Sequence, residues 1–181
     1  MGIKPEKVDE LAQAAAARVV GHVQGEKLIS RFIDSYVMGF DRRQLKSPVD
    51  KFRQRADQLG QEALVLLGLL VVEQCCQRLY RFKLGPLVMR DRQAARRFAE
   101  SFWPAVGGQL KLDAGVPAGW ARRAEEYRTA PDREARFSEQ VAPLLDPAPQ
   151  MKDNAEHAGR KFFEALSKVS IQVTTRLLAG S

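Results

Sequence analysis

The chain has 181 residues, 45% hydrophobic and 28% charged, with 29 Lys and Arg against 22 Asp and Glu, for a formal charge of +7. That length suits one domain with a real core and excludes a disordered tail. Two adjacent cysteines, Cys75 and Cys76, exclude a disulfide scaffold and suit a reducing compartment; the charged opening MGIKPEKVDE lacks the apolar stretch of a secretory leader. The expectation is a cytoplasmic protein with no transmembrane segment.

Apolar residues recur at spacings of three and four and almost never alternate with polar ones. The predicted class is therefore all-α: a single domain, residues 1–181, of six or seven helices around a central hydrophobic helix. Pro5 opens a first helix with Val8, Leu11, Ala12, Ala15, Val19 and Val23 on one stripe, weakened at its end by Gly21 and Gly25. A second amphipathic run carries Leu28, Ile29, Phe32, Ile33, Tyr36, Val37 and Phe40.

Ser47-Pro48-Val49-Asp50 combines an N-cap hydroxyl, a proline at the first helical position and an acid in the first turn, the clearest helix start in the chain. From Val49 the seam Phe52, Ala56, Leu59, Ala63, Leu66, Leu70 follows, and between Ala63 and Val72 the apolar stripe widens to the whole circumference. A helix apolar all round must be wrapped by other helices or by lipid. The run is shorter than the roughly 20 residues a bilayer requires, and Glu62 and Glu73 bracket it. Pro48 to about Leu79 is accordingly predicted as the central helix of a bundle.

Gly85-Pro86 predicts a turn over Leu84–Val88, and Asp91 can cap a helix carrying Ala94, Ala95, Phe98 and Phe102 that stops near Pro104 and Gly107-Gly108. Residues 107–119, with four Gly and one Pro, read as the longest irregular loop apart from a short helix opened by Pro117 with Trp120, Ala121, Ala124 and Tyr127. Pro131 opens another with Phe137, Val141, Leu144 and Leu145. Pro143, Pro147 and Pro149 then predict a stiff connector before a last helix from about Met151 to Leu178.

Catalytic and metal signatures are sparse. His22 and His157 are far apart in sequence, and adjacent helical cysteines point about 100° apart, a poor basis for a zinc tetrahedron. No nucleophile elbow occurs, and Gly107-Gly108-Gln109-Leu110-Lys111 lacks the phosphate-loop order. No cofactor or metal is expected. Glu62 and Glu73 are eleven residues apart, which returns them to within about 20° on one helix face; the favoured reading is that each marks where the helix leaves the core or meets an arginine from a neighbour, and the alternative is that acid–base chemistry runs through them.

Charge is the most informative signal. Arg78, Arg81, Lys83, Arg90, Arg92, Arg96 and Arg97 stand against Asp91 alone, a local charge of +6; Arg42, Arg43, Lys46, Lys51, Arg53 and Arg55 against Asp50 give +5. In a straight helix the two clusters lie about 38 Å apart, near opposite ends. Such concentrations attract phosphates or acidic protein surfaces. Internal pairing is the competing account, since Arg96 stands four residues before Glu100. Nucleic acid draws weaker support without a recognition motif. A membrane-surface helix is approached most nearly over residues 91–105, where Arg92, Arg96 and Arg97 accompany Phe98, Phe102 and Trp103.

The functional expectation is a non-enzymatic interaction or regulatory protein that binds an acidic protein surface or another anionic partner through the seven cations of residues 78–97. Two other readings stay open: a helical sensor holding a hydrophobic small molecule in the bundle interior, and an enzyme using Glu62 or Glu73 as acid or base. The long amphipathic helices are also compatible with a homo-oligomer.

Overall fold

Pro5, whose missing N–H costs nothing in a first turn, is the first residue of α1 (Pro5–Val20), along which Val8, Ala12, Ala15 and Val19 are buried. The computed structural model describes residues 2–25, 49–145 and 152–179. A π-helical turn, Gly21–Gly25, follows α1 and carries the half-buried His22 and Val23. The apolar run Leu28 to Phe40, the Ser47-Pro48 cap, the cations Arg42, Arg43 and Lys46, and Pro147 and Pro149 lie outside the described residues.

The other helices are α2 (Val49–Tyr80), α3 (Arg92–Leu110), α4 (Gly115–Thr129), α5 (Arg133–Leu145) and α6 (Lys152–Ala179). With α1 they make six α-helices among the described residues, an all-α single-domain bundle. The greasy stretch of α2 is wrapped as its sequence demands: every residue from Glu62 to Val71 is buried, and α2 packs against all five other helices. By length and composition alone Ala56–Tyr80 could cross a membrane, but 67% of its most apolar 18-residue window is buried inside the molecule.

Close approach of the helices depends on missing side chains. A Cβ on Gly68 of α2 would lie 2.6 Å from the Trp103 ring of α3, one on Gly107 would meet Pro117 of α4 at 2.7 Å, and one on Gly159 of α6 would come within 3.0 Å of the Ser138 backbone of α5. Phe98, Phe102, Phe137 and Phe162 fill the space between them, all fully buried. Phe102 meets Trp103 edge-on at 5.0 Å.

The structure departs from the sequence expectation at three places. Around the Gly85-Pro86 turn, two four-residue strands, β1 (Arg81–Leu84) and β2 (Leu87–Arg90), form an antiparallel hairpin. Gly85 has φ 61°, and a following proline fits a two-residue loop whose first position alone needs positive φ.

Secondly, α3 does not stop at Pro104 or Gly107-Gly108 but continues to Leu110, so the expected loop over 107–119 shrinks to residues 111–114, which link it to α4. Its end is made by Lys111 in the left-handed region at φ 53°, with Leu112 N–H donating to Gly107 O at 3.0 Å and Lys111 N–H to Gly108 O at 3.3 Å. Trp103 just before the proline and Ala105, Val106 and Gly107 after it are buried, which offsets the backbone hydrogen bond it removes. Thirdly, Pro143 lies inside α5 rather than in a connector.

Candidate functional site

The basic cluster sits where α2 ends and the hairpin begins. α2 hands the chain to β1 at Tyr80, whose carbonyl accepts from Asp91 N–H at 3.1 Å, closing the base of the hairpin. The register pairs Arg81 with Arg90, Phe82 with Met89, Lys83 with Val88, and Leu84 with Leu87. Residues alternate between the faces of a ribbon. One set of positions therefore holds Arg81, Lys83, Val88 and Arg90, and the other holds Phe82, Leu84, Leu87 and Met89. Outside itself, the hairpin packs chiefly on α2.

Asp91 organises the exit from the hairpin. Its Oδ1 accepts from Ala94 N–H at 2.9 Å, capping α3 as the sequence predicts, and its Oδ2 accepts from Ile3 N–H at 2.9 Å, tying the chain ahead of α1 to the same corner. These backbone donors, Ala94 first, hold the carboxyl below its ordinary 3.8. The carboxylate is thus engaged by backbone.

Four arginines of the predicted cluster, Arg78, Arg81, Arg90 and Arg92, are exposed. Among the described residues none of them forms an ion pair with a carboxylate. Three of them lie about Tyr80: Arg90 and Arg92 line a cleft with it, Arg81 follows it in the chain and pairs with Arg90, and the guanidinium of Arg92, then the positive charges of Arg90 and Arg81, hold the phenol below its ordinary 10.0. Tyr80, Arg90, Arg92, Gly2, Asp91 and Gln93 line an open cleft of about 420 Å³ at the hairpin base. Lys83 occupies its paired position in β1, and its side chain lies outside the description.

Arg96 and Arg97 behave differently from the other arginines. Arg96 donates to Glu100 at 2.8 Å along α3, the internal pair its spacing allows. Arg97 makes a two-pronged pair with Asp9 of α1, at 2.8 and 2.5 Å, and Ser101 adds a hydrogen bond to the same carboxylate. This pair joins α1 to α3. Residues 91–105 cannot serve as a membrane-surface helix, because Phe98, Phe102 and Trp103, its apolar side, are core residues. The side chains of Lys51, Arg53 and Arg55, in the second basic segment, lie outside the description.

Glu62 and Glu73 both meet arginines. Glu62, buried in α2, accepts from Arg123 of α4 and from the Tyr127 hydroxyl at 2.7 Å. Burial pushes that phenol up to about 12. Glu73 is gripped by both terminal nitrogens of Arg133 of α5, at 2.6 and 2.9 Å. The two carboxylates hold α2 to its neighbours, and neither lines the clefts described in this section.

Elsewhere, burial raises the Cys75 thiol to about 12 and the Cys76 thiol to about 11. His157 is exposed and His22 half-buried; no group of three or more His, Cys, Asp or Glu converges as metal ligands among the described residues. Between α3 and α4 a cleft of about 500 Å³ is lined by Trp103, Pro104, Gly107, Leu112, Pro117 and Ala121, with Glu100 at its edge.

Sequence reasoning missed Tyr80 and the exposed tip residues Leu87 and Val88. A tyrosine directly followed by Arg81, with a Gly-Pro turn four residues on, was the available signal. Comparison with family models, with curated proteins and with solved structures finds no match to this chain.

Proposed function

We propose that this is a non-catalytic interaction protein that binds an anionic partner through the basic corner at the end of α2. The observation that carries the reading is the gathering of Arg81, Arg90 and Arg92 about Tyr80, exposed and beside a cleft, while the nearest acid, Asp91, is engaged by backbone N–H groups. Guanidinium groups not paired with a carboxylate give charge-assisted, two-pronged hydrogen bonds to phosphate or carboxylate. Arg78 extends the positive field along α2. Arg96 and Arg97, engaged with Glu100 and Asp9, contribute field rather than direct contact. Cytoplasmic location and regulatory action are part of this reading.

Retention on immobilised polyphosphate, measured over a salt series, tests it. The wild type binds with an affinity that falls as salt rises, and R81E/R90E/R92E loses retention. R122E/R160E/R176E, which removes the same charge from exposed positions on α4 and α6, retains it. Equal loss by the two triple variants would show that net charge, not this corner, does the binding, and would reject the proposal.

The apolar cleft between α3 and α4 favours a second reading, in which the protein holds a hydrophobic small molecule at the bundle surface. A retained ligand in native mass spectrometry, displaced by Ala121→Trp, is the expected result; repeated absence of any bound mass counts against it.

A further inference from the structure

The hairpin ends in apolar side chains that the bundle does not cover. Leu87 and Val88 are each 61% exposed, and the Gly85-Pro86 turn beside them is exposed too. The tip closes in a two-residue loop at the end of the ribbon away from α2. Behind it lie the arginines. Arg81 and Arg90 are paired three steps back along the ribbon from Leu84 and Leu87, about 10 Å at the rise of a strand.

That spacing has a physical counterpart. An apolar element seated at a membrane interface reaches about 5–10 Å into the boundary between headgroups and acyl chains. With Leu87 and Val88 at that depth, Arg81, Arg90 and Arg92 stand at the level of the lipid phosphates, and the cleft lined by Tyr80, Arg90 and Arg92 opens beside a headgroup. A soluble polyanion would be met by the arginines alone and would leave the tip in water. Only a partner with charge in front of an apolar layer uses both features.

We infer that the hairpin docks this protein onto the surface of a bilayer carrying anionic lipid, with Leu87 and Val88 entering the interface and Arg81, Arg90 and Arg92 holding headgroup phosphates. The inference rests on the anionic-partner reading and deepens it by naming the source of the anion. Attachment is peripheral: two apolar side chains and three arginines give reversible binding that salt weakens.

The test is co-sedimentation of the full chain with phosphatidylcholine vesicles, either pure or containing about a quarter phosphatidylserine, alongside retention on polyphosphate. The wild type sediments with the mixed vesicles and stays in solution with the neutral ones. L87S/V88S, altered where the side chains are already in solvent, loses about tenfold or more in vesicle affinity while its polyphosphate retention and circular dichroism are unchanged. R81E/R90E/R92E loses both. Wild-type vesicle binding by L87S/V88S would overturn insertion of the tip. Polyphosphate retention without vesicle binding would overturn the membrane inference and leave the anionic reading standing. Failure of the wild type on both surfaces would overturn the two together.

Discussion

Gly68 and Gly60 lie two turns apart on α2 and should respond to alanine in opposite directions. Replacing an interior helical glycine by alanine gains about 1 kcal/mol from reduced backbone freedom in the unfolded chain. At Gly60 nothing among the described residues beyond the helix's own backbone lies within 4 Å of the added Cβ, so Gly60→Ala should stabilise by about 0.5–1 kcal/mol.

At Gly68 the Cβ would sit 2.6 Å from Trp103 Cη2, 3.1 Å from Phe102 Cε1 and 3.2 Å from Trp103 Cζ2. Carbon atoms prefer about 3.5–4.0 Å, so the indole must move about 1 Å. Phe102 is 0% exposed and cannot give way, and Trp103, 8% exposed, can shift only by repacking against the lining of the cleft between α3 and α4. Overpacking of this kind costs about 1–3 kcal/mol, which outweighs the backbone gain and leaves Gly68→Ala destabilised by about 1 kcal/mol. For a chain of this length that lowers Tm by about 2–4 °C. Differential scanning calorimetry of the two variants beside wild type reads both signs at once. A Gly68→Ala protein as stable as Gly60→Ala would refute the close packing of α3 onto α2 and with it the enclosure of the central helix.

Three further outcomes follow from the polar contacts. Glu62→Ala strips the acceptor from the buried Tyr127 hydroxyl and the partner from Arg123; denaturant unfolding should show a loss of about 2–4 kcal/mol, at the lower end if the half-exposed Arg123 turns to water. Asp91, whose carboxyl is depressed in the fold, contributes stability that is present above its ordinary 3.8 and is lost as pH falls through its lower folded value. Asp91→Asn keeps the cap, so its stability difference from wild type should be constant above about pH 5 and shrink below pH 4; a constant difference across the acid limb would contradict the depressed carboxyl. Cys76, raised from 9.0 to about 11, should react with iodoacetamide at pH 8 about a hundredfold more slowly in the native protein than in denaturant, as read by mass spectrometry; equal rates would contradict its burial.

The helical stripes were legible because each is long. Val8 through Val19 and Ala63 through Val71 repeat their period for several turns, and the helix that must be wrapped is wrapped. Short or compensated features were not. RFKL and LVMR are four residues each, too brief for an alternation to register. Pro104, Gly107 and Pro143 carry stop signals that tertiary packing overrides: Gly107 is a glycine because Pro117 needs its space, while the actual end of α3 falls on Lys111, a residue with no turn preference. At the candidate site, composition located the arginines, but their sorting depended on partners remote in sequence. Arg97 finds Asp9 across 88 positions, whereas Arg81, Arg90 and Arg92 are brought to the Tyr80 corner by a hairpin that the spacing did not announce.

Hydrogen–deuterium exchange of the full chain, with and without anionic vesicles, tests most directly whether the end of α2 is the working end of the molecule. Slowed exchange confined to residues 78–93, with α4 and α6 unchanged, is the predicted result. Protection centred on residues 42–55, on the cleft between α3 and α4, or nowhere in the chain would contradict the account.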